Sequence, residues 1–240
     1  MTIEKLLTHM KKILIFSAFL LLTFLSKAQE ADAILAKVVA KINAVNDYSV
    51  DANIKADIPL IKIFPVNASI YFKQKDKFKV VSKGIAILPK QGFTDMNTFL
   101  AKKSAYMVVE SGTKTIGEIK TTQLTVIPTG DNNEFVLAKL WIDTKRNLIL
   151  KSQITTRSSG TVVVDYSYAD QAEFALPNQL VFTVDVKKFK LPKSVAADLH
   201  DTDNKKKKDA KGEKSGTIVI KLTNYKVNKG INDSVFKDKK

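Results

Sequence analysis

The chain has 240 residues, with 39 basic side chains against 24 acidic ones and no cysteine. Without cysteine there is neither a disulfide framework nor a lipid anchor on a terminal thiol, so an apolar core has to supply the stability. The formal charge of +15 comes almost wholly from lysine, Arg146 and Arg157 being the only arginines. That balance suits an anionic membrane surface or an acidic partner, or simple solubility, better than nucleic acid, which is read mainly through arginine forks.

Lys5, Lys11 and Lys12 precede an uncharged apolar run from Ile13 to Leu25, followed by Ser26-Lys27-Ala28. A basic start, an apolar run and small residues at the end predict a secretory signal peptide over 1–28, cleaved after Ala28. The run falls short of the roughly 20 residues that a spanning helix needs. Met10, followed by Lys11-Lys12, would serve equally as the start. Cleavage removes four lysines and one glutamate, leaving a formal +12 on residues 29–240. That length fits one domain, expected to be exported, soluble and monomeric.

Residues 30–46 predict a helix, because Ile34, Leu35, Val38, Val39, Ile42 and Val45 recur at three- and four-residue spacing. From Tyr48 the period changes to two: Val50, Ala52, Ile54, Ala56 and Ile58 alternate with polar residues, which predicts a strand with one dry face. Strands follow over 61–74 and 77–88, with Pro65 marking a bend or an edge in the first. Over 92–103 the rhythm breaks, and Phe93, Met96, Phe99 and Leu100 fall on one side of a short helix. Strands resume at 105–110 and 114–128, ending at Pro128-Thr129-Gly130-Asp131. Residues 135–143 and 148–156 form a hairpin across Thr144-Lys145-Arg146-Asn147, and alternating runs follow through Val162–Tyr168 and Leu180–Val186. A charged stretch over 192–214, containing Lys205, Lys206, Lys207 and Lys208, reads as a disordered insertion. Ile218, Ile220 and Leu222 make a last strand ending near Tyr225.

The sum is about ten antiparallel strands, a leading helix and a short inserted one. The predicted fold class is mainly β (α+β): a strongly curved antiparallel sheet, with the helices packed into its concave side.

Four stretches together resemble the LolA-like family of exported lipoprotein and lipid carriers. They are the helix running into Ile42-Asn43-Ala44-Val45-Asn46-Asp47-Tyr48-Ser49, the early strand with Tyr71-Phe72-Lys73, and the hairpin Leu140-Trp141-Ile142-Asp143 to Asn147-Leu148-Ile149-Leu150. The fourth is the end, Leu222-Thr223-Asn224-Tyr225-Lys226-Val227-Asn228 to Val235-Phe236. The resemblance implies an unclosed β-barrel, an apolar cavity for acyl chains, and a lid matching residues 93–100. It also implies a Gram-negative periplasm, with an inner-membrane donor and an outer-membrane acceptor. Family members lock the lid with an arginine; none stands in 49–88 here, so a lysine serves or the latch is absent.

Chemistry has little material. His9 lies in the signal, leaving His200 as the single mature histidine, and no Gly-rich phosphate loop or G-x-S-x-G elbow is present. The expectation is no enzyme, no cofactor and no metal. The candidate cavity lining is Ile34, Leu35 and Val38 on the helix, and Phe93, Met96, Phe99 and Leu100 on the lid. From the strands it takes Val50, Ile54, Ile70, Phe72, Leu140, Ile142, Phe182 and Val184. Each has two readings, ordinary core packing or a ligand surface. Lys205–Lys208 are either a solvated loop or a contact with a membrane or partner. Three roles stay open: a carrier moving acylated lipoprotein or lipid, a sensor or adaptor that binds without transfer, and a structural β-protein with a filled core.

Overall fold

The computed structural model describes residues 29–59, 63–74, 77–84, 86, 88, 95–130, 134–158, 160–185 and 215–237, the side chains of Asp95 and Met96 excepted. The predicted signal peptide, Phe93 and the 192–214 stretch with its four lysines lie outside those residues.

Ten strands form one antiparallel sheet: β1 (Asp47–Asp57), β2 (Val66–Lys73), β3 (Lys77–Ser82), β4 (Tyr106–Ile116), β5 (Ile119–Pro128), β6 (Phe135–Asp143), β7 (Leu148–Thr156), β8 (Gly160–Ser167), β9 (Gln179–Asp185) and β10 (Ser215–Val227). Their order is β3-β2-β1-β10-β9-β8-β7-β6-β5-β4. The first three strands thus add to one side of β10 and the middle six run back from its other side. The edges β3 and β4 do not pair, so the half-barrel stays unclosed. Helix α1 covers residues 29–43 and helix α2 is Asp95–Leu100.

α1 crosses the inner face of β4–β7. Its inward side chains Ala31, Leu35 and Val38 are at most 1% exposed, and each Leu or Val buried this way contributes about 1.5–3 kcal/mol. Side chains tie it down at both ends. Near its start Asp32 forms an ion pair with Lys103, beyond α2. Near its finish Lys41 Nζ donates to the Arg146 carbonyl in the β6–β7 turn at 2.9 Å. The last carbonyls, which no helical N–H can reach, accept from neighbours: Gln74 Nε2 donates to Asn43 O at 2.6 Å, and Asn228 Nδ2 to Ala44 O at 3.3 Å.

Some strand boundaries differ from the sequence expectation. Ser111-Gly112-Thr113 does not separate two strands. The register jumps between Glu110 and Thr113, leaving Ser111 and Gly112 together opposite Gln123, a bulge inside one eleven-residue strand. Gly112 takes φ +115 there, and Ser111 Oγ receives the Gln123 side-chain amide at 3.0 Å. The reversal comes later, at Gly117-Glu118, where Gly117 has φ +58 and Ile116 pairs Ile119. That is the short hairpin geometry for which a positive φ is needed. Among the described residues, predicted strands 61–74 and 77–88 are also shorter, as β2 and β3.

Candidate functional site

The inner face of the sheet is apolar, and its side chains separate into two clusters. The first joins α1 and α2 to β4–β7: Leu35, Val38, Phe99, Leu100, Tyr106, Leu124, Leu140, Ile142 and Ile154 are its main members. The second spans β8–β10 and β1–β2: Val50, Ile54, Ile70, Val164, Phe182, Val184, Ile218 and Ile220. Tyr166 touches both.

The expected lining divides accordingly. Ile34, Leu35, Val38, Phe99, Leu100, Leu140 and Ile142 meet in the first cluster, and Val50, Ile54, Ile70, Phe182 and Val184 in the second. Phe72 sits half-buried at the rim, its ring stacked on Tyr48 with centroids 5.2 Å apart. Met96 belongs to α2, but its side chain is outside the described part.

The covers differ in kind. Regular helices lie on the first cluster. Phe99 of α2 packs its ring 4.8 Å from Phe135 and 5.3 Å from Tyr106, and the Tyr106 hydroxyl donates to Leu100 O at 2.8 Å. Over the second cluster, among the described residues, the packed side chains from outside the sheet are Ile63, Ala86 and Leu88, none of which stands in a helix or strand. Sequence reasoning missed these three, because a cover without periodicity leaves no pattern to read.

At the seam, Ser152 and Tyr166 form a polar pair inside the apolar face, hydroxyl to hydroxyl at 3.0 Å. Burial pushes the Tyr166 phenol up to about 12, the Ser152 hydrogen bond pulls it down, and the Asp165 charge raises it. Tyr168 donates to Ile149 O at 2.9 Å and Tyr225 to Pro177 O at 2.8 Å, and burial raises both phenols well above the usual value. These tyrosines stay neutral at any physiological pH.

A separate cleft of about 640 Å³ opens between the β8–β9 loop and the end of β10, lined by Asp170, Gln171, Asn178, Gln179, Lys221 and Asn224 beside Leu176 and Tyr225. Its amide and charged lining does not suit an acyl chain. Among the described residues no group of three or more His, Cys, Asp or Glu side chains could hold a metal, and no helix is long and apolar enough to cross a membrane.

The motifs that carried the family resemblance prove to be fastenings of this sheet. Asn224-Tyr225 is a bulge opposite Val50, with Asn224 at φ 57 and its amide on Asp51 at 3.0 Å. The bulge turns Tyr225 toward the inner face, 5.8 Å from Tyr48. In the β6–β7 turn, Asp143 accepts from Arg146 Nε at 2.6 Å and from the Lys145 N–H at 3.0 Å. Burial works against its charge, but these hydrogen bonds and the guanidinium outweigh it and hold the carboxyl below its ordinary range.

An unclosed ten-stranded half-barrel with an apolar inner face, one part of it covered by helices, is the LolA-like fold. No protein-family model matches the sequence, and no curated protein does. Solved structures share the fold at low identity. An outer membrane lipoprotein-sorting protein domain from Vibrio parahaemolyticus superposes with TM-score 0.58 at 9% identity, over 87% of this chain and 97% of its own. A DUF1329 family protein from Desulfovibrio piger gives 0.56 at 12%, over 86% and 97%. A LolA superfamily protein from Nitrosomonas europaea gives 0.55 at 12%, over 87% and 97%.

Proposed function

We propose that this is an exported lipid-binding protein which takes acyl chains of a lipoprotein or lipid onto its inner face and carries them from the inner to the outer membrane. The signal-like start supports export, and the Vibrio parahaemolyticus neighbour's assignment to outer membrane lipoprotein sorting supports the cargo class. The observation that carries the reading is the unequal cover of one continuous apolar face. The half under α1 is sealed by hydrogen-bonded helices fastened by side chains. Over the other half the described residues that pack from outside the sheet are Ile63, Ala86 and Leu88, none in a helix or strand. Irregular segments open at lower cost than packed helices, so the ligand enters over β8–β10 and β1–β2. Moving a CH₂ out of water is worth about 0.8 kcal/mol, so a multi-acyl cargo needs such a sheltered face to cross an aqueous space.

The test is native mass spectrometry with solvent extraction on protein recovered from a Gram-negative periplasm, followed by labelling with a photoactivatable fatty acid. Co-purified acyl lipid and cross-links at Val50, Ile70, Phe182 or Ile220 are the expected result. Cross-links confined to Leu35 and Leu140 would move the site under α1. A clean apo mass with no uptake of added lipid would sink the reading in favour of a filled core. Transfer of a labelled lipoprotein to acceptor membranes separates a carrier from a sensor.

A further inference from the structure

One corner of the sheet carries a basic collar on its outer face. Strand register places Lys226 of β10, Ser49 of β1, Tyr71 of β2 and Lys79 of β3 in a single row, and Asp47, Lys73 and Lys77 in the adjacent row. The segment after β10 folds back across these rows. Lys73 and Lys77 both reach Asp233, at 2.7 and 2.6 Å, and Lys79 donates to Lys237 O at 2.5 Å. The return of the chain adds Lys229 and Lys237 to the corner.

The acids here are already engaged. Asp47 is only 6% exposed, and its carboxylate is taken by the N–H groups of Lys229 and Gly230. Asp233 is shared by two lysines. Lys226, Lys229 and Lys237 remain exposed, with no acidic partner among the described residues. Six lysines therefore stand against these two committed carboxylates, and Asp51, one row further along the same face, holds the Asn224 amide.

On the inner side of the same strand ends are four half-buried aromatic residues: Tyr48, Phe72, Phe78 and Tyr225. The corner thus has lysines outside and aromatic rings inside, and lysine with the two tyrosines is the kind of pairing favoured where water meets lipid headgroups. All the cations are lysines, flexible point charges suited to a diffuse field. A fixed carboxylate on a protein partner would favour the arginine fork, and both arginines lie elsewhere, Arg146 being paired to Asp143.

We propose that this corner docks the protein on the anionic surface of a lipid bilayer. Docking would bring the aromatic end of the inner face to the membrane, yet it does not depend on acyl binding: a protein with a filled core would dock equally.

The test is co-sedimentation of the purified protein with phosphatidylglycerol/phosphatidylcholine vesicles and with pure phosphatidylcholine vesicles, at low salt and at high salt. Binding to the anionic vesicles alone, lost as screening rises, is expected. The triple variant Lys226→Glu, Lys229→Glu, Lys237→Glu should bind at least about tenfold more weakly. A control with the same net charge, Lys55→Glu, Lys83→Glu, Lys102→Glu, reverses exposed lysines toward the other end of the strands and should bind as wild type. Circular dichroism checks that both variants are folded. Equal loss in the control, undiminished binding by the collar variant, or equal binding to neutral vesicles would overturn the proposal. So would binding to an acidic peptide as tight as to the vesicles, which would make the partner a protein.

Discussion

Asp47 and Asn228, 181 residues apart, hold each other at the point where helix α1 becomes strand β1. The Asn228 side-chain oxygen accepts the N–H of Asn46 at 2.7 Å and of Asp47 at 3.3 Å, while its own N–H donates to Asp47 O at 2.8 Å. The Asp47 carboxylate in turn binds the N–H of Lys229 and Gly230, at 3.1 and 3.0 Å. The start of the sheet and the end of the chain are therefore closed by one polar knot, which also caps the C-terminus of α1.

Asn228 has φ 53 as well as these bonds. Replacing it by Ala removes its side-chain bonds to exposed Asn46 and Ala44 and buried Asp47, at about 0.5–1.5 kcal/mol each, and leaves a residue that, unlike Asn, tolerates the left-handed region poorly, at about 1–2 kcal/mol. Asn228→Gly keeps the backbone freedom and loses only the first contribution. Urea unfolding followed by circular dichroism should rank wild type above Gly and Gly above Ala. Equal stability of all three would show that the knot contributes nothing.

The two lysines on Asp233 give the return segment a pH signature. Their hydrogen bonds hold its carboxyl near about 2, against an ordinary 3.8. A depressed folded value means that the contact stabilises the segment fully above the ordinary value and loses that contribution as pH falls from 3.8 through about 2. The protection factors of the Ser234, Val235 and Phe236 amides, taken relative to the intrinsic exchange rate at each pH, should fall through that window in wild type. In Asp233→Asn protection should be low throughout, with no step.

The two inner clusters should respond differently to substitution. Leu35 and Leu140 are at most 1% exposed, between α1 and β6. Leu35→Ala is expected to cost about 2–5 kcal/mol, since a cavity is left under a fastened helix. Lipid uptake should be unchanged per folded molecule, because the ligand is proposed to enter the other half. A selective loss of uptake with stability intact would place the ligand under α1.

Much of the fold was legible because the inner face obeys one rule, an apolar residue at every second position. Val50-Ala52-Ile54 on β1 and Leu180-Phe182-Val184 on β9 both show it, and both lie where alternation put them. The rule fails at bulges. Ser111-Gly112 looks like the end of a strand because a glycine follows a polar residue, yet its φ serves a bulge and the strand continues to Ile116. Alternation also reports a face, not its neighbours. It grouped Leu140 with Phe182, though the two fall in separate clusters. The family-like motifs were visible as residues, but their work was not, since Asn228 acts on Asp47 through the closure of the whole sheet.

Trp141 offers the last test, and a spectroscopic one, because it is the only tryptophan of the chain. It lies on the outer face between Gln123 of β5 and Lys151 of β7, yet it is only 6% exposed, with Lys114 Nζ 6.0 Å from its ring centroid. Among the described residues its indole N–H is the one buried side-chain polar group without a partner. An unpaired buried donor costs about 1–3 kcal/mol, which offsets part of what the large ring contributes. Trp141→Phe loses some buried area but also removes that donor, so it should fall within about 1 kcal/mol of wild type, against about 3–5 kcal/mol for Trp141→Ala. Lys114→Ala removes the cation over the ring, worth about 0.5–1 kcal/mol at such a site, and should shift the emission of Trp141 to longer wavelength as water gains access. A Trp141→Phe penalty as large as that of Trp141→Ala would mean that the indole N–H is bonded in solution.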